Sequence, residues 1–442
     1  MNIQLSDHFS YKKLIRFVLP SVVMMIFTSI YSVVDGIFVS NFVGKTSFAA
    51  VNLVMPVLLL LSSGGFMLGT GGSALVGMFL GEGKKEKANQ IFSMLVCFAA
   101  FFGAIVCVCA FIFMEKIVRF LGADGKLLFD ATLYARIVLC TGVAFILQNI
   151  FQSFLIVAEK PTLGLILTVA AGLTNMILDA IFIVVLKWGL SGAAVATACA
   201  QSVGCAIPLV FFLRKNKTPL HLTKPTFDAH ALFRTITNGS SELVGNIAMS
   251  VVSILYNFQL IKIAGETGIA AYGALMYVSF IFAAVFLGYG IGRAPIVSFH
   301  HGARNTDELK NLFKKDCTIV AISSVTLVIF SEILSLPLAK VFGGYDPALF
   351  SMIRRAFMLY SFTYLFMGSN LCGSSFFTAL NNGFVSALIS FLRTFVFQIA
   401  AVLILPKILQ LDGIWLSGIA SETCAFFVVI FCVIFFKKRY GY

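Results

Sequence analysis

The residues Val43-Gly44-Lys45-Thr46 recur 221 positions later as Ala264-Gly265-Glu266-Thr267. Without a gap, further matches follow at the same offset: Gly69 with Gly290, Gly81 with Gly302, Glu86 with Asp307, and Phe92 with Phe313. Much later in the chain, Gly192 still falls on Gly413. An ungapped match across a helix-loop-helix unit indicates that the chain consists of two similar halves.

The composition places both halves in a membrane. Of the 442 residues, 59 % are hydrophobic and 12 % are charged, and the mean hydropathy is +0.97. Soluble domains have about 25 % charged residues, which argues against a cytosolic enzyme, a secreted disulfide scaffold and a disordered chain. A membrane-spanning helix needs ~20 apolar residues. The predicted spans are 14–40, 48–80, 91–113, 129–157, 162–186, 190–213, 235–262, 269–299, 317–338, 349–378, 384–405 and 413–436.

The predicted fold class is therefore an all-α integral membrane protein, with twelve transmembrane helices in two pseudo-symmetric six-helix lobes. We expect an N-lobe at 1–213, a cytoplasmic linker at 214–230 and a C-lobe at 231–442. Six spans separate the halves, so both begin on the same side of the membrane. Predicted inner segments contain eighteen Lys and Arg, against eight in the outer segments. This asymmetry predicts that both termini are cytoplasmic. We also expect a multi-pass protein of the plasma (inner) membrane that is a monomer.

The repeat also shows which polar residues one half has and the other lacks. Four polar residues inside predicted spans of the first half meet different residues in the second half, at offsets of 221 or 222. They are Asp35, Asn175, Asp179 and Thr197, and their counterparts are Tyr256, Phe397, Ala401 and Gly418. Asn175 and Asp179 are one turn apart and share a helix face. Counting ~1.5 Å of rise per residue places all four in the outer half of the membrane.

Carboxylates within a membrane are costly and usually face a cavity or a partner. Asp35 and Asp179 can share one proton, or they can hold a hard cation such as Na⁺ with oxygens of Asn175 and Thr197 completing the shell. The alternative is that the two acids merely hydrogen-bond neighbouring helices. Pro20, on the same predicted helix as Asp35, is either a hinge or a harmless proline near a helix start.

The second half has four charged residues of its own within predicted spans: Glu242, Arg293, Arg393 and Glu422. Glu242 and Arg293 fall in the inner half of the membrane on adjacent predicted helices. A structural ion pair between them is one interpretation, and a cavity for a cationic substrate is the other. Glu422 lies in the middle of a predicted helix and leaves the same alternatives open. The ten cysteines lie almost entirely within apolar runs, which is typical of packed side chains rather than a metal site.

These features together resemble the multidrug and toxic compound extrusion (MATE) family, in particular its bacterial DinF-like branch. The resemblance covers essentially the whole chain and rests on the Val-Asp-Gly-Ile-Phe run at Asp35, Gly81, Ala158-Glu159-Lys160-Pro161, Asn175-Met-Ile-Leu-Asp179 and Gly192-Ala-Ala-Val-Ala-Thr197. It implies a cation site for Na⁺ or H⁺ at Asp35, Asn175, Asp179 and Thr197, and a kinking proline at Pro20. The C-lobe acids of the NorM-like branch are missing at the positions that correspond to them, near Met249 and Met367.

The resemblance implies a secondary active transporter rather than an enzyme. It would export organic, cationic amphiphilic compounds and drugs in antiport with H⁺ or Na⁺ by rocker-switch alternating access, with no cofactor besides the transported ion and no nucleic-acid partner. The alternatives are a flippase for lipid-linked oligosaccharides or lipids of the same superfamily, or an integral membrane transferase. An acidic first-lobe site argues against the flippase, and five scattered histidines form no transferase cluster.

Overall fold

The computed structural model describes residues 3–214, 216, 218–344 and 346–442, a part of the chain that contains helices and no strands. The α-helices are α1 (Tyr11–Phe38), α2 (Lys45–Gly81), α3 (Lys85–Phe120), α4 (Gly125–Leu139), α5 (Gly142–Val157), α6 (Pro161–Asp179), α7 (Gly189–Leu213), α8 (Ala229–Gly302), α9 (Thr306–Gly343), α10 (Pro347–Tyr360), α11 (Thr363–Ala379), α12 (Gly383–Phe391) and α13 (Gln398–Tyr440). Short π-helical segments, Val39–Val43, Ala180–Val185 and Leu392–Phe397, follow α1, α6 and α12. Residues Lys215 and Lys217 of the predicted linker lie outside the described residues.

Six membrane crossings fall in each half. Length and hydropathy identify nine described helices that can cross a membrane, or ten when α4 and α5, bent by 55°, count as one crossing. The apolar stretch Gly383–Tyr440 is 58 residues long and breaks at Gln410, where φ is 49°, so it provides two crossings. In the second half α10 and α11 correspond to α4 and α5 and form the remaining crossing. The predicted all-α membrane fold of two six-helix lobes is thereby confirmed.

Both chain termini lie at the same end of the helix bundle, which we call the termini face. Leu5, Phe9 and Tyr442 belong to one buried apolar cluster. The backbone N–H of Leu5 donates to the Glu159 carboxylate at 2.8 Å, and that of Phe9 donates to Glu308 at 2.9 Å. Burial raises the pKa of Glu159, and the bond from Leu5 partly offsets this effect. The N-terminal segment thus fastens the first half to the second.

The two lobes are in backbone contact in the half of the bundle near the termini face. Gly81 and Gly302, which the repeat pairs, each lie against the other lobe. A Cβ at Gly81 would overlap the Phe299 carbonyl oxygen, and a Cβ at Gly302 would overlap that of Met78. These reciprocal contacts follow the pseudo-two-fold relation of the halves. Without a side chain, the helix backbones approach closely enough to close this face of the protein.

Towards the opposite face the lobes separate. The Gly239 backbone of α8 still touches the Met67 carbonyl oxygen of α2, but a Cβ at Gly245 or at Gly64 would meet nothing within 4 Å. The two helices therefore diverge beyond the contact of Gly239 with Met67. We call the space between them the central cleft. In sequence Glu242 lies between Gly239 and Gly245, at the level where the two helices begin to separate.

The predicted ion pair of Glu242 with Arg293 is wrong. Arg293 instead forms a buried ion pair with Asp316 of α9 and also donates to the Cys372 carbonyl oxygen of α11. The Tyr289 hydroxyl donates to the same Asp316 carboxylate at 2.5 Å. Three helical segments of the C-lobe are thus joined by one guanidinium.

The first half fills the equivalent space with apolar groups. Gly72 and Leu95 are the counterparts of Arg293 and Asp316 at offset 221, and Gly72 packs against the Leu95 side chain and the Phe154 ring. The same position in the fold therefore tolerates either a paired ion or apolar packing. We infer that the Arg293–Asp316 pair has a structural role.

Replacing Gly239 by Ala should destabilise the closed termini face. The added methyl group overlaps the Met67 backbone, and overpacking of this kind costs about 1–3 kcal/mol, which corresponds to a few degrees in unfolding temperature. Gly245→Ala is the matched control on the same helix, because it enters open space and adds helix propensity of up to ~1 kcal/mol. Thermal unfolding of the purified variants tests this, and equal effects of the two substitutions would contradict it.

Arg293→Met should lower the free energy of unfolding by about 3–5 kcal/mol, because it leaves the Asp316 carboxylate buried without its partner. The double variant Arg293→Met with Asp316→Leu resembles the apolar packing of the first half and should recover most of the loss. Unfolding temperatures of the two variants, measured side by side, provide the comparison. A double variant no more stable than the single one would show that the ion pair is not replaceable.

Candidate functional site

The two acids predicted in the N-lobe lie together inside the helix bundle. Asp35, near the end of α1, and Asp179, the last residue of α6, have adjacent carboxyl groups. Asp35 is 7 % exposed and Asp179 is fully buried. Two carboxyl groups from distant parts of the sequence therefore share one buried location.

The other two predicted residues lie beside the acids. Asn175, one turn before Asp179 on α6, donates from its side-chain amide to the Thr197 hydroxyl of α7 at 3.5 Å. The Tyr134 hydroxyl of α4 lies close to Thr197. The structure thus brings Asp35, Asn175, Asp179 and Thr197 together, and it adds Tyr134, which sequence analysis missed.

This site has more hydrogen-bond acceptors than donors. Three of the four carboxyl oxygens, Oδ1 of Asp35 and both of Asp179, are buried and accept no hydrogen bond from any described residue. The Asn175 side-chain oxygen is also buried and accepts no hydrogen bond from any described residue. Buried acceptors without donors are rare in folded proteins, and carboxylates are compensated by a positive charge or a proton. Chemically, the arrangement is suited to receiving a small cation or a proton.

The helices at the site depart from regular α-geometry. The π-helical segment Ala180–Val185 begins directly after Asp179, and Val39–Val43 begins four residues after Asp35. Wider helical turns of this type leave backbone groups less regularly bonded and often occur at functional sites. Among the described residues no cluster of three His, Cys, Asp or Glu is found, and the further oxygens beside the acid pair are those of the Asn175 amide and the Thr197 hydroxyl.

A cavity of about 220 Å³ inside the first half borders the site. Asp35, Asn175 and Thr197 contribute to its wall, and side-chain amides extend the polar lining away from the acids: Gln148, Asn149, Gln152 and Gln201. Sequence analysis also missed these amides. Their signal is helical spacing, because Gln148 and Gln152 are one turn apart and Gln201 is one turn beyond Thr197.

The corresponding position of the second half is neutral and fully hydrogen-bonded. Tyr256, the counterpart of Asp35, is buried, and its hydroxyl bonds with Ser417 at 2.6 Å and with the Gln398 side chain at 2.6 Å. No acceptor of this group is left without a partner among the described residues. The C-lobe therefore has no acid pair where the N-lobe has one.

The remaining predicted residues separate into different environments. Arg393 and Glu422 form an ion pair with an Nη2–Oε1 distance of 2.7 Å, whereas Glu242 has no ion pair or hydrogen bond within the described part of the chain. Arg293 belongs to the separate pair with Asp316. Pro20 lies inside α1, which continues through it without a break.

Comparisons with known proteins agree with this architecture. The MatE family model matches the chain twice, at residues 20–181 and 243–404. The multidrug export protein MepA of Staphylococcus haemolyticus (strain JCSC1435) is 23 % identical over 432 residues, which is 97 % of this chain and 94 % of that protein. MepA of Staphylococcus aureus (strain MRSA252) is 22 % identical over 94 % of this chain and 92 % of that protein.

Solved structures show the same fold. A multidrug resistance MATE family transporter of the MOP superfamily, in an outward-facing conformation, superposes with a TM-score of 0.91 at 22 % identity, over 98 % of both chains. A MOP superfamily transporter from Pyrococcus furiosus, described as having a binding pocket of reverse polarity, gives a TM-score of 0.91 at 21 % identity over 98 % of both chains. Because the family model matches both repeats and most of the chain, this protein belongs to the MatE family and is a MATE family transporter.

Proposed function

We propose that this transporter is a multidrug exporter, which moves organic cations out of the cell in antiport with H⁺ or Na⁺. Relatives along nearly the whole chain are multidrug export proteins, and MATE transporters are ion-coupled proteins rather than enzymes. The observation that supports ion coupling most directly is the Asp35–Asp179 pair, which is buried with unsatisfied oxygens.

A cation would satisfy this pair in one of two ways. A single proton shared by Asp35 and Asp179 would remove one negative charge and supply one donor. Alternatively, Na⁺ would take oxygen ligands from both carboxylates, the Asn175 amide and the Thr197 hydroxyl. Both ions fit the acceptor chemistry, and the adjoining cavity borders the site.

The arrangement of the lobes supports alternating access. We place both termini in the cytoplasm of a plasma-membrane protein, as the basic residues of the inner segments predict. The closed termini face is then the cytoplasmic side, and the central cleft is open to the outside. A rocking motion of the two lobes about the midplane of the membrane would open the cytoplasmic side and close the outer side. One chain contains both the cleft and the ion site, so we propose that the protein works as a monomer.

Glu242 supports a cationic substrate. It is one turn beyond the contact of Gly239 with Met67 on α8, and we propose that its side chain lies at the floor of the central cleft. It is half-buried, and no described group pairs with it. An unpaired acid at membrane depth favours a positively charged partner, and an amphiphilic cation in the cleft would provide one.

Asp35→Asn and Asp179→Asn should each abolish coupled export while the protein remains folded. We expect a loss of at least about tenfold, because an interaction with a buried charge exceeds the ~1.4 kcal/mol that corresponds to this factor. Proteoliposomes loaded with a fluorescent cation, with the pH and Na⁺ gradients imposed separately, measure the effect and identify the ion. Glu115→Gln, in an exposed pair with Arg119, is the matched control. Unchanged export by either Asp variant would contradict the assignment.

Glu242→Gln should distinguish substrates by charge. Apparent affinity for a cationic dye should fall by about tenfold, because a hydrogen bond to a charged group contributes about 1.5–3 kcal/mol. Affinity for a neutral dye of similar shape and hydrophobicity should change little. Glu86→Gln, which removes one exposed acid elsewhere, controls for net charge. Equal losses for both dyes would show that Glu242 does not recognise substrate charge.

A further inference from the structure

A second buried carboxylate, Glu422 of α13, is compensated from within the protein. Its Oε1 accepts from the Nε of Arg393 at 2.8 Å and from the Nη2 of the same guanidinium at 2.7 Å. Its Oε2 accepts from the Asn370 side-chain amide at 2.6 Å. Glu422 is 4 % exposed and Asn370 is fully buried. Both oxygens of Glu422 are therefore satisfied, one of them by a cation.

The internal repeat shows where this group lies in the fold. Glu422 and Asn370 are the counterparts of Gln201 and Asn149 at offset 221, and Arg393 is the counterpart of Ala171 at offset 222. These three first-half residues all contribute to the wall of the 220 Å³ cavity beside the acid pair. The C-lobe thus holds an ion pair where the N-lobe has open space connected to its ion site.

The ligand chemistry of the two places is similar. The N-lobe combines carboxylates with an amide, Asn175, whose side-chain oxygen has no donor among the described residues. The C-lobe combines a carboxylate with an amide, Asn370, whose side-chain oxygen is likewise without a described donor. Without the guanidinium, Glu422 and Asn370 would form a buried acceptor group of the same kind. Oxygen groups of this type bind a proton or a hard cation.

Arg393 lies in an irregular part of its helix. Arg393 lies within the π-helical segment Leu392–Phe397, which interrupts the helix after α12. In the first half the corresponding helix, α6, remains regular until Asp179 and becomes π-helical only from Ala180. In the first half the π-helical segment thus follows directly after the acid Asp179. In the second half it contains the base Arg393.

We propose that Glu422 and Asn370 form a second small-cation site of the transporter, permanently filled by the guanidinium of Arg393. The side chain acts as a tethered counter-ion, so the C-lobe exchanges no mobile ion. As a consequence, which rests on the proposed function, the number of ions moved per substrate is set by the N-lobe site alone.

Removing the tethered charge should expose the site to mobile ions. Among the described residues, the charged or titratable groups near Glu422 are Arg393, Tyr256 of α8 and Tyr360 of α10, and α11 contributes the neutral Asn370. In Arg393→Met the carboxylate loses its only described cation. We expect a loss of several degrees in unfolding temperature at alkaline pH in choline, and recovery either on acidification or with saturating Na⁺ at constant ionic strength.

Two further variants control this measurement. Arg393→Lys retains a cation and should remain insensitive to pH and Na⁺ in the same range as the unmodified protein. The double variant Arg393→Met with Glu422→Gln removes both charges and should be stable without either ion. Arg393→Gln keeps one donor for Glu422 and allows the same comparison if the Met variant does not fold. Instability that neither H⁺ nor Na⁺ relieves, or ion dependence that persists in the double variant, would overturn the proposal.

Ion counting in proteoliposomes tests the consequence for transport separately. The number of ions exchanged per substrate should rise by about one in Arg393→Met relative to the unmodified protein. An unchanged number of ions per substrate would overturn the proposal that Arg393 is a tethered counter-ion. Absence of ion-coupled export by the unmodified protein would instead reject the proposed function, and it would leave the unfolding experiment as an independent test of the Glu422 site.

Discussion

A carboxylate buried within a membrane needs a proton or a positive charge beside it, and the described N-lobe residues supply neither to Asp35 and Asp179. We therefore propose that the free energy of the acid pair depends on an ion from outside. Because the proposed ligands lie on α1, α6 and α7, a lobe conformation that brings these helices together would bind the ion more tightly than one that separates them. An ion shifts a two-state equilibrium only by this difference. Reversing a population of 1:99 takes ~5.5 kcal/mol, which is the order of magnitude of a buried charge left without compensation.

The second half meets the same constraint in a different way. Two of its buried acids are paired with arginines of the chain, Glu422 with Arg393 and Asp316 with Arg293. Where the first half has apolar packing at Gly72 or an open cavity beside its acid pair, the second half has a fixed cation. A fixed ion pair has no dependence on ion concentration. We therefore propose that only the N-lobe responds to ions. The C-lobe would then be the rigid partner against which the N-lobe moves.

How much of this arrangement the sequence predicts depends on what hydropathy and the internal repeat each measure. Hydropathy locates apolar stretches, and all twelve predicted spans correspond to helices, but it cannot distinguish a polar helix end from a loop. The span predicted to begin at 317 belongs to a helix that begins at Thr306, so the hydropathy pattern leaves Asp316 outside the span and gives no reason to pair it with Arg293. Comparison of the repeats identified Asp35 and Asp179, because unmatched acids within spans are rare. Tyr134 gave no such signal, since an aromatic residue with one hydroxyl is compatible with ordinary packing.

Helix α1 connects the proposed ion site to the closed face of the protein. Asp35 lies near its C-terminal end, whereas Ser21 and Val22, directly after Pro20, form the surface against which the Gly288 backbone of α8 packs. A change in position at one end of a continuous helix is transmitted to the other end unless the helix bends. Pro20 lacks the N–H that would bond to the preceding turn, so bending is easiest next to this contact between the lobes. If α1 is stiff between Pro20 and Asp35, an ion bound at the proposed site would loosen the contact of α1 with Gly288. If α1 bends, the ion would only tilt the part of the helix that contains Asp35.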